Sequence, residues 1–138
     1  MNVLVVYEST RGRTKAMAEA VCEGAKSEGV ECEVVEAKKF SGLNDACALA
    51  VGSSTRMKRT LPQTRQVLAE MGKLNGLPAG AFGSYGWSGE APDIISNELS
   101  GLGATLVNGQ PVKAKDHPNP AALESCRELG RTLASKCS

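Results

Sequence analysis

Three short segments gather hydroxyls, glycines, cations and aromatic rings in patterns that suit an anion and a flat ring. The first, Ser9-Thr10-Arg11-Gly12-Arg13-Thr14, lies between an apolar run and a helical pattern. Its hydroxyls, a glycine that lets the backbone close in, and the free N–H groups of a helix start make a cradle for an anion. The same residues would also serve as a capping turn that holds nothing. Neither GxxxxGK[ST] nor a GxGxxG after the first apolar run occurs, so the two common phosphate motifs are absent. The second segment, GSSTRMKRTLP (52–62), sets Ser53, Ser54 and Thr55 ahead of Arg56, Met57, Lys58 and Arg59. The third, GSYGWSGEAP (83–92), places Tyr85 and Trp87, two of only five aromatic residues, among glycines and serines. A Trp in that setting either packs on a neighbouring helix or presents its face to a planar ligand. A phosphate cradle and an aromatic platform at one edge together suit a flavin mononucleotide, FMN.

Other chemistries have few residues to work with. His117 is the single histidine, too few for a triad or a His-rich metal site, and it reads as a loop residue in KDHPNP. Cys22, Cys32, Cys47, Cys126 and Cys137 are an odd, widely spaced set without a CxxC pair. They read as small buried hydrophobes in a reducing compartment, with neither a zinc site nor a disulfide framework. No catalytic residue and no metal ligand is therefore expected.

Elements that could position the loops are legible in the periodicity. The 138 residues suit one domain spanning 1–138. Apolar runs at 2–7, 47–52 and 77–84, and a run with charged ends at 31–36, read as strands, the last suiting a sheet edge. Helical spacing covers 14–28, closed by Gly29, and 61–72, with Thr60 as N-cap and Pro62 in the first turn. It recurs over 92–102 and over 120–137, where Asn119 and Pro120 supply cap and first turn; a fifth strand starts at 104–107. Alternating strands and helices predict an α/β fold, a doubly wound five-stranded parallel sheet with helices on both faces. Ligands in such sheets bind outside the carboxyl ends of the strands, where the three segments fall.

Sixteen cations against fifteen acids give a net charge of +1, which excludes a strongly basic nucleic-acid binder. No run approaches the roughly 18 apolar residues of a membrane span. The opening MNVLVV lacks the basic region of a signal peptide. A soluble cytoplasmic protein is expected.

The hydroxyl-rich first loop, GSSTRMKRTLP and above all FGSYGWSGEA, with QPVKAKDHPNPAALESCRELGRTLA at the end, resemble a short-chain flavodoxin. They are most similar to the flavodoxin-like module of flavodiiron proteins, over almost the whole chain. The resemblance implies strand order 2-1-3-4-5 and noncovalent FMN. By carry-over, Ser9, Thr10, Gly12, Arg13 and Thr14 hold the phosphate, with Arg11 standing where a hydroxyl is usual. Ser53, Ser54, Thr55, Arg56 and Met57 line one side of the isoalloxazine, and Ser84, Tyr85, Gly86, Trp87 and Gly89 the other. The second loop lacks the aromatic that many flavodoxins stack on the ring, and the chain is near neutral where flavodoxins are strongly acidic. A single His leaves no diiron ligand set.

The function so implied is electron carriage between redox proteins, with an FMN-dependent NAD(P)H:quinone or small-molecule reductase as the alternative. Arg11, Arg13, Lys15, Arg56, Lys58, Arg59 and Arg65 cluster in or beside the first two loops. That clustering points to an acidic, ferredoxin-like partner. A receiver domain would need carboxylates where Tyr7-Glu8 and Gly52-Ser53 stand, and a cysteine phosphatase a Cys in the first loop.

Overall fold

The computed structural model describes residues 2–107 and 109–137. The first apolar run forms β1 (Asn2–Glu8) and leads into α1 (Arg13–Ser27); β2 (Glu31–Glu36) and one 3-10 turn (Ala37–Lys39) follow. The chain continues through β3 (Ala46–Ser53), α2 (Pro62–Glu70), β4 (Pro78–Tyr85) and α3 (Ala91–Gly101). It ends with β5 (Thr105–Leu106), β6 (Val112–Lys115) and α4 (Pro120–Ser135). All strand pairs are parallel, in the order β2-β1-β3-β4-β5, with β6 also pairing β4. β2 takes the edge that its charged ends suit.

The expected single fifth strand is two segments. Thr105 and Leu106 pair with Pro78 and Ala79, whereas 112–115 pair with 82–85. Between them lie Gly109 and Pro111, and a proline has no N–H to give to a ladder.

β1 is buried on both faces because alternate side chains enter different cores. Val3 and Val5 join Met17, Val21, Phe82, Leu129 and Leu133 under α1 and α4. Leu4 and Val6 join Leu49, Val51, Val67, Ile95 and Leu99 under α2 and α3. α1 and α4 touch backbone to backbone: a Cβ on Gly24 would overlap the Arg127 carbonyl oxygen, and one on Gly130 that of Val21.

Two helix starts differ in kind. Asn119 caps α4 as expected, its side chain accepting from Ala122 N at 2.8 Å. Thr60 does not cap α2, whose N-cap is Leu61, with Pro62 in the first turn. Instead Glu8, at the end of β1, accepts at Oε1 from the Thr64 N–H (2.7 Å) and the Thr64 hydroxyl (2.9 Å). A carboxylate supplied through space favours the positive helix start more than a local hydroxyl would.

The cysteine expectation is overturned. Cys22 and Cys32 form a disulfide joining α1 to β2, and Cys47 and Cys137 form one joining β3 to the residues after α4. Their Cα separations are 5.4 and 5.2 Å, within the range that bridges require. The second pair is 90 positions apart in sequence; only the parallel register brings it together. Cys126 is a free, buried thiol whose pKa burial pushes up to about 12, which makes it unreactive at neutral pH. No described helix is long and apolar enough to cross a membrane, and the described residues hold no metal-ligating cluster.

Candidate functional site

The loops following β1, β3 and β4 meet at the carboxyl edge of the sheet around a cleft of about 360 Å³, within the roughly 300–1,000 Å³ typical of small-molecule sites. Thr10, Arg11, Arg13, Ser54, Thr55, Arg56, Met57, Leu61, Ser84, Tyr85, Gly86 and Trp87 line it. Ser9, Gly12, Thr14, Ser53 and Gly89 shape the loops without lining the cleft.

Gly12 is the N-cap of α1 at φ +82°, a left-handed conformation that a side chain would strain. Its N–H donates to Ser9 Oγ at 2.9 Å. No side chain caps α1, which leaves the helix start free to receive an anion. Ser9 and Gly12 also border a separate cavity of about 310 Å³ with Tyr7, Lys15 and Glu36. There the Tyr7 phenol is pushed above its ordinary pKa, first by burial and then by Glu36 and Glu19.

Thr14 is fully buried and ties the three loops together. Its hydroxyl is shared with Ser54 Oγ at 3.0 Å and Ser84 Oγ at 2.8 Å, and Ser84 N donates to it at 3.3 Å. Ser53 donates to the Ser54 carbonyl and accepts from Leu61 N, which sets the course of the second loop. Thr55 Oγ1 accepts from Ala91 N at 3.0 Å, pinning that loop to the start of α3. A Cβ on Gly89 would press on the Tyr85 ring at 2.9 Å, so the glycine lets the third loop fold back over it.

At the tip of the second loop, Arg56 and Arg59 exchange both backbone hydrogen bonds, at 2.9 and 3.0 Å. Met57 (φ 52°) and Lys58 (φ 63°) are both left-handed, as the central pair of a tight hairpin turn must be. Met57 and Trp87 stand 89% and 94% exposed at the mouth. Large apolar side chains held in solvent beside a cleft mark a contact surface for a ligand or partner. Arg11 and Arg56 line the same cleft, Lys58 and Arg59 follow Met57 in the second loop, and all four are exposed.

Two side-chain atoms among the described residues are buried without a hydrogen-bond partner, Arg13 Nε and Glu90 Oε1. Arg13 opens α1 after the first loop, and Glu90 precedes α3 at the end of the third. FMN fits the cleft, whose uncapped helix start with Arg11 and Arg13 suits a phosphate and whose Tyr85 and Trp87 suit a flat ring. Glu90 lies in GSYGWSGEAP outside the cleft lining, and a carboxylate at a helix start gives no signal of its own in the sequence. Asp116, which the sequence does not single out either, follows β6 and stands 3.7 Å from Arg13 Nη1. His117 is exposed in that fourth loop, as expected.

The flavodoxin family model matches residues 5–130. A solved flavodoxin from the domain Archaea is 37% identical, covers 99% of each chain and superposes with a TM-score of 0.93. The rubredoxin-oxygen oxidoreductase of Megalodesulfovibrio gigas is 32% identical over 96% of this chain and 35% of its own length. The anaerobic nitric oxide reductase flavorubredoxin of Aliivibrio salmonicida is 31% identical over 97% of this chain and 28% of its own. This chain thus spans about a third of these two curated relatives. With 5–130 matched, and a flavodoxin of similar length superposing end to end, the chain belongs to the flavodoxin family and its cofactor is FMN.

Proposed function

We propose that the protein carries electrons between redox proteins through FMN held in the cleft. The observation that carries this is the cleft itself, where Arg11 and Arg13 beside the uncapped start of α1 meet Tyr85 and Trp87. FMN, when bound, supplies one- and two-electron transfer. In this assignment the start of α1, with Thr10, Arg11 and Arg13, binds the phosphate, while Ser9 and Gly12 fold the loop that presents these groups. Ser54 to Met57 flank one side of the ring, and Ser84 to Trp87 the other. Thr14, Ser53 and Gly89 keep the loops in register. Trp87 is the stacking partner, since aromatic contacts of this kind contribute about 0.5–1.5 kcal/mol beyond area burial. Trp87→Ala is expected to weaken FMN by roughly tenfold and to relieve quenching of flavin fluorescence. Unchanged affinity and fluorescence would transfer the role to Tyr85.

The exposed cations at the mouth favour an acidic, ferredoxin-like partner. A charged partner is steered over a Debye length of about 10 Å at roughly 0.1 M salt. Reduction of the FMN protein is therefore expected to be faster from an acidic than from a basic protein donor at low salt, with the advantage fading as salt rises. A faster basic donor, or a rate indifferent to salt, removes the docking assignment. Steady-state oxidation of NAD(P)H with a quinone, in place of transfer to a protein, would favour the reductase alternative.

A further inference from the structure

Arg13 is met by a carboxylate from the loop after β6. Its side chain, 23% exposed, has Nη1 3.7 Å from Asp116 Oδ1, while Nε is buried and unpartnered. Asp116 is itself fixed: its backbone is left-handed at φ 57°, and its N–H donates to the Tyr85 carbonyl at 2.6 Å. A Cβ on Gly86 would lie 3.7 Å from Asp116 Oδ1, so the carboxylate sits between the third loop and the phosphate loop. Arg13 lines the cleft that these loops enclose. A carboxylate beside an anion site is a net repulsion unless it does something else there.

We propose that Asp116 is a positioning residue for the FMN phosphate. By standing beside Nη1 it holds the Arg13 guanidinium at the cleft that the phosphate enters. The inference rests on FMN binding in this cleft. Two effects of Asp116 have opposite signs, which makes the role testable. Removing a nearby negative charge would tighten binding of a dianionic phosphate. Releasing Arg13 would loosen it, because a long side chain then has to be ordered by the ligand.

The experiment measures FMN and riboflavin affinity by fluorescence quenching on the flavin-free full chain. Wild type, Asp116→Asn, Arg13→Gln and the double variant are compared. Asparagine tolerates the left-handed backbone, so Asp116→Asn removes the charge and spares the turn. Arg13→Gln is expected to weaken FMN about thirtyfold and Asp116→Asn about fivefold, with riboflavin unchanged in both. In the Arg13→Gln background, Asp116→Asn is expected to have no weakening effect. FMN bound as tightly or more tightly by Asp116→Asn overturns the positioning role and leaves a simple repulsion. So does a loss shared by riboflavin, or one that persists without Arg13, since either marks a structural role. If wild type binds riboflavin and FMN equally, the phosphate site itself falls, and the positioning role with it.

Discussion

Breaking the Cys47–Cys137 bridge is expected to lower the free energy of unfolding by about 5 kcal/mol, and breaking Cys22–Cys32 by about 3 kcal/mol. A cross-link acts on the unfolded chain by removing loop-closure entropy, and the loops closed here differ greatly, with partners 90 and 10 positions apart. The two bridges also act on the same layer. One ties α1 to the neighbouring edge strand, and the other ties the end of α4 to β3. The helices that pack against each other through Gly24 and Gly130 are therefore both fastened to the sheet. Cys126, buried with its pKa raised to about 12, supplies no thiolate for exchange. Urea unfolding of the Cys22→Ala/Cys32→Ala and Cys47→Ala/Cys137→Ala variants measures each contribution. Alkylation of the denatured protein checks the bonds themselves, with one thiol labelled before reduction and all five afterwards. Five labels before reduction in carefully oxidised protein would show that the bridges do not form.

Gly130→Ala is expected to destabilise the protein by about 2 kcal/mol, although alanine is the better helix former by about 1 kcal/mol. The added methyl would overlap the Val21 carbonyl oxygen and crowd Ala25 N at 2.9 Å. Both obstacles are backbone, so no side-chain rotation relieves them and the two helices must move apart. The Cys126, Leu129 and Leu133 contacts of the same core then loosen together. Because α1 begins in the loop proposed to hold the phosphate, FMN is also expected to dissociate faster. Gly101 gives the opposite control. It lies at the end of α3 with nothing within 4 Å of a built Cβ, and Gly101→Ala is expected to be neutral or stabilising by up to about 1 kcal/mol. Thermal unfolding of both variants compares the signs, and a Gly130→Ala protein as stable as wild type would refute the close helix crossing.

The sequence by itself determined what depends on neighbours a few positions apart. The run 31–36 became β2 with those bounds, because a short β-branched stretch between charged ends and a preceding glycine has few other uses. Asn119 capped α4 because the bond from Ala122 N spans three residues. The three loops met at one edge because parallel strands joined by right-handed crossovers all point the same way. The tertiary structure decided whatever joins residues distant in the chain. Glu8 took the cap of α2 from Thr60, and Thr14 turned its hydroxyl to Ser54 and Ser84 rather than to the cleft. Cys47 found Cys137, and Asp116 reached Arg13 across the mouth. None of these contacts leaves a period or a spacing in the sequence. Each depends on strand register and helix placement, which bring groups within bonding distance only when the whole sheet is assembled.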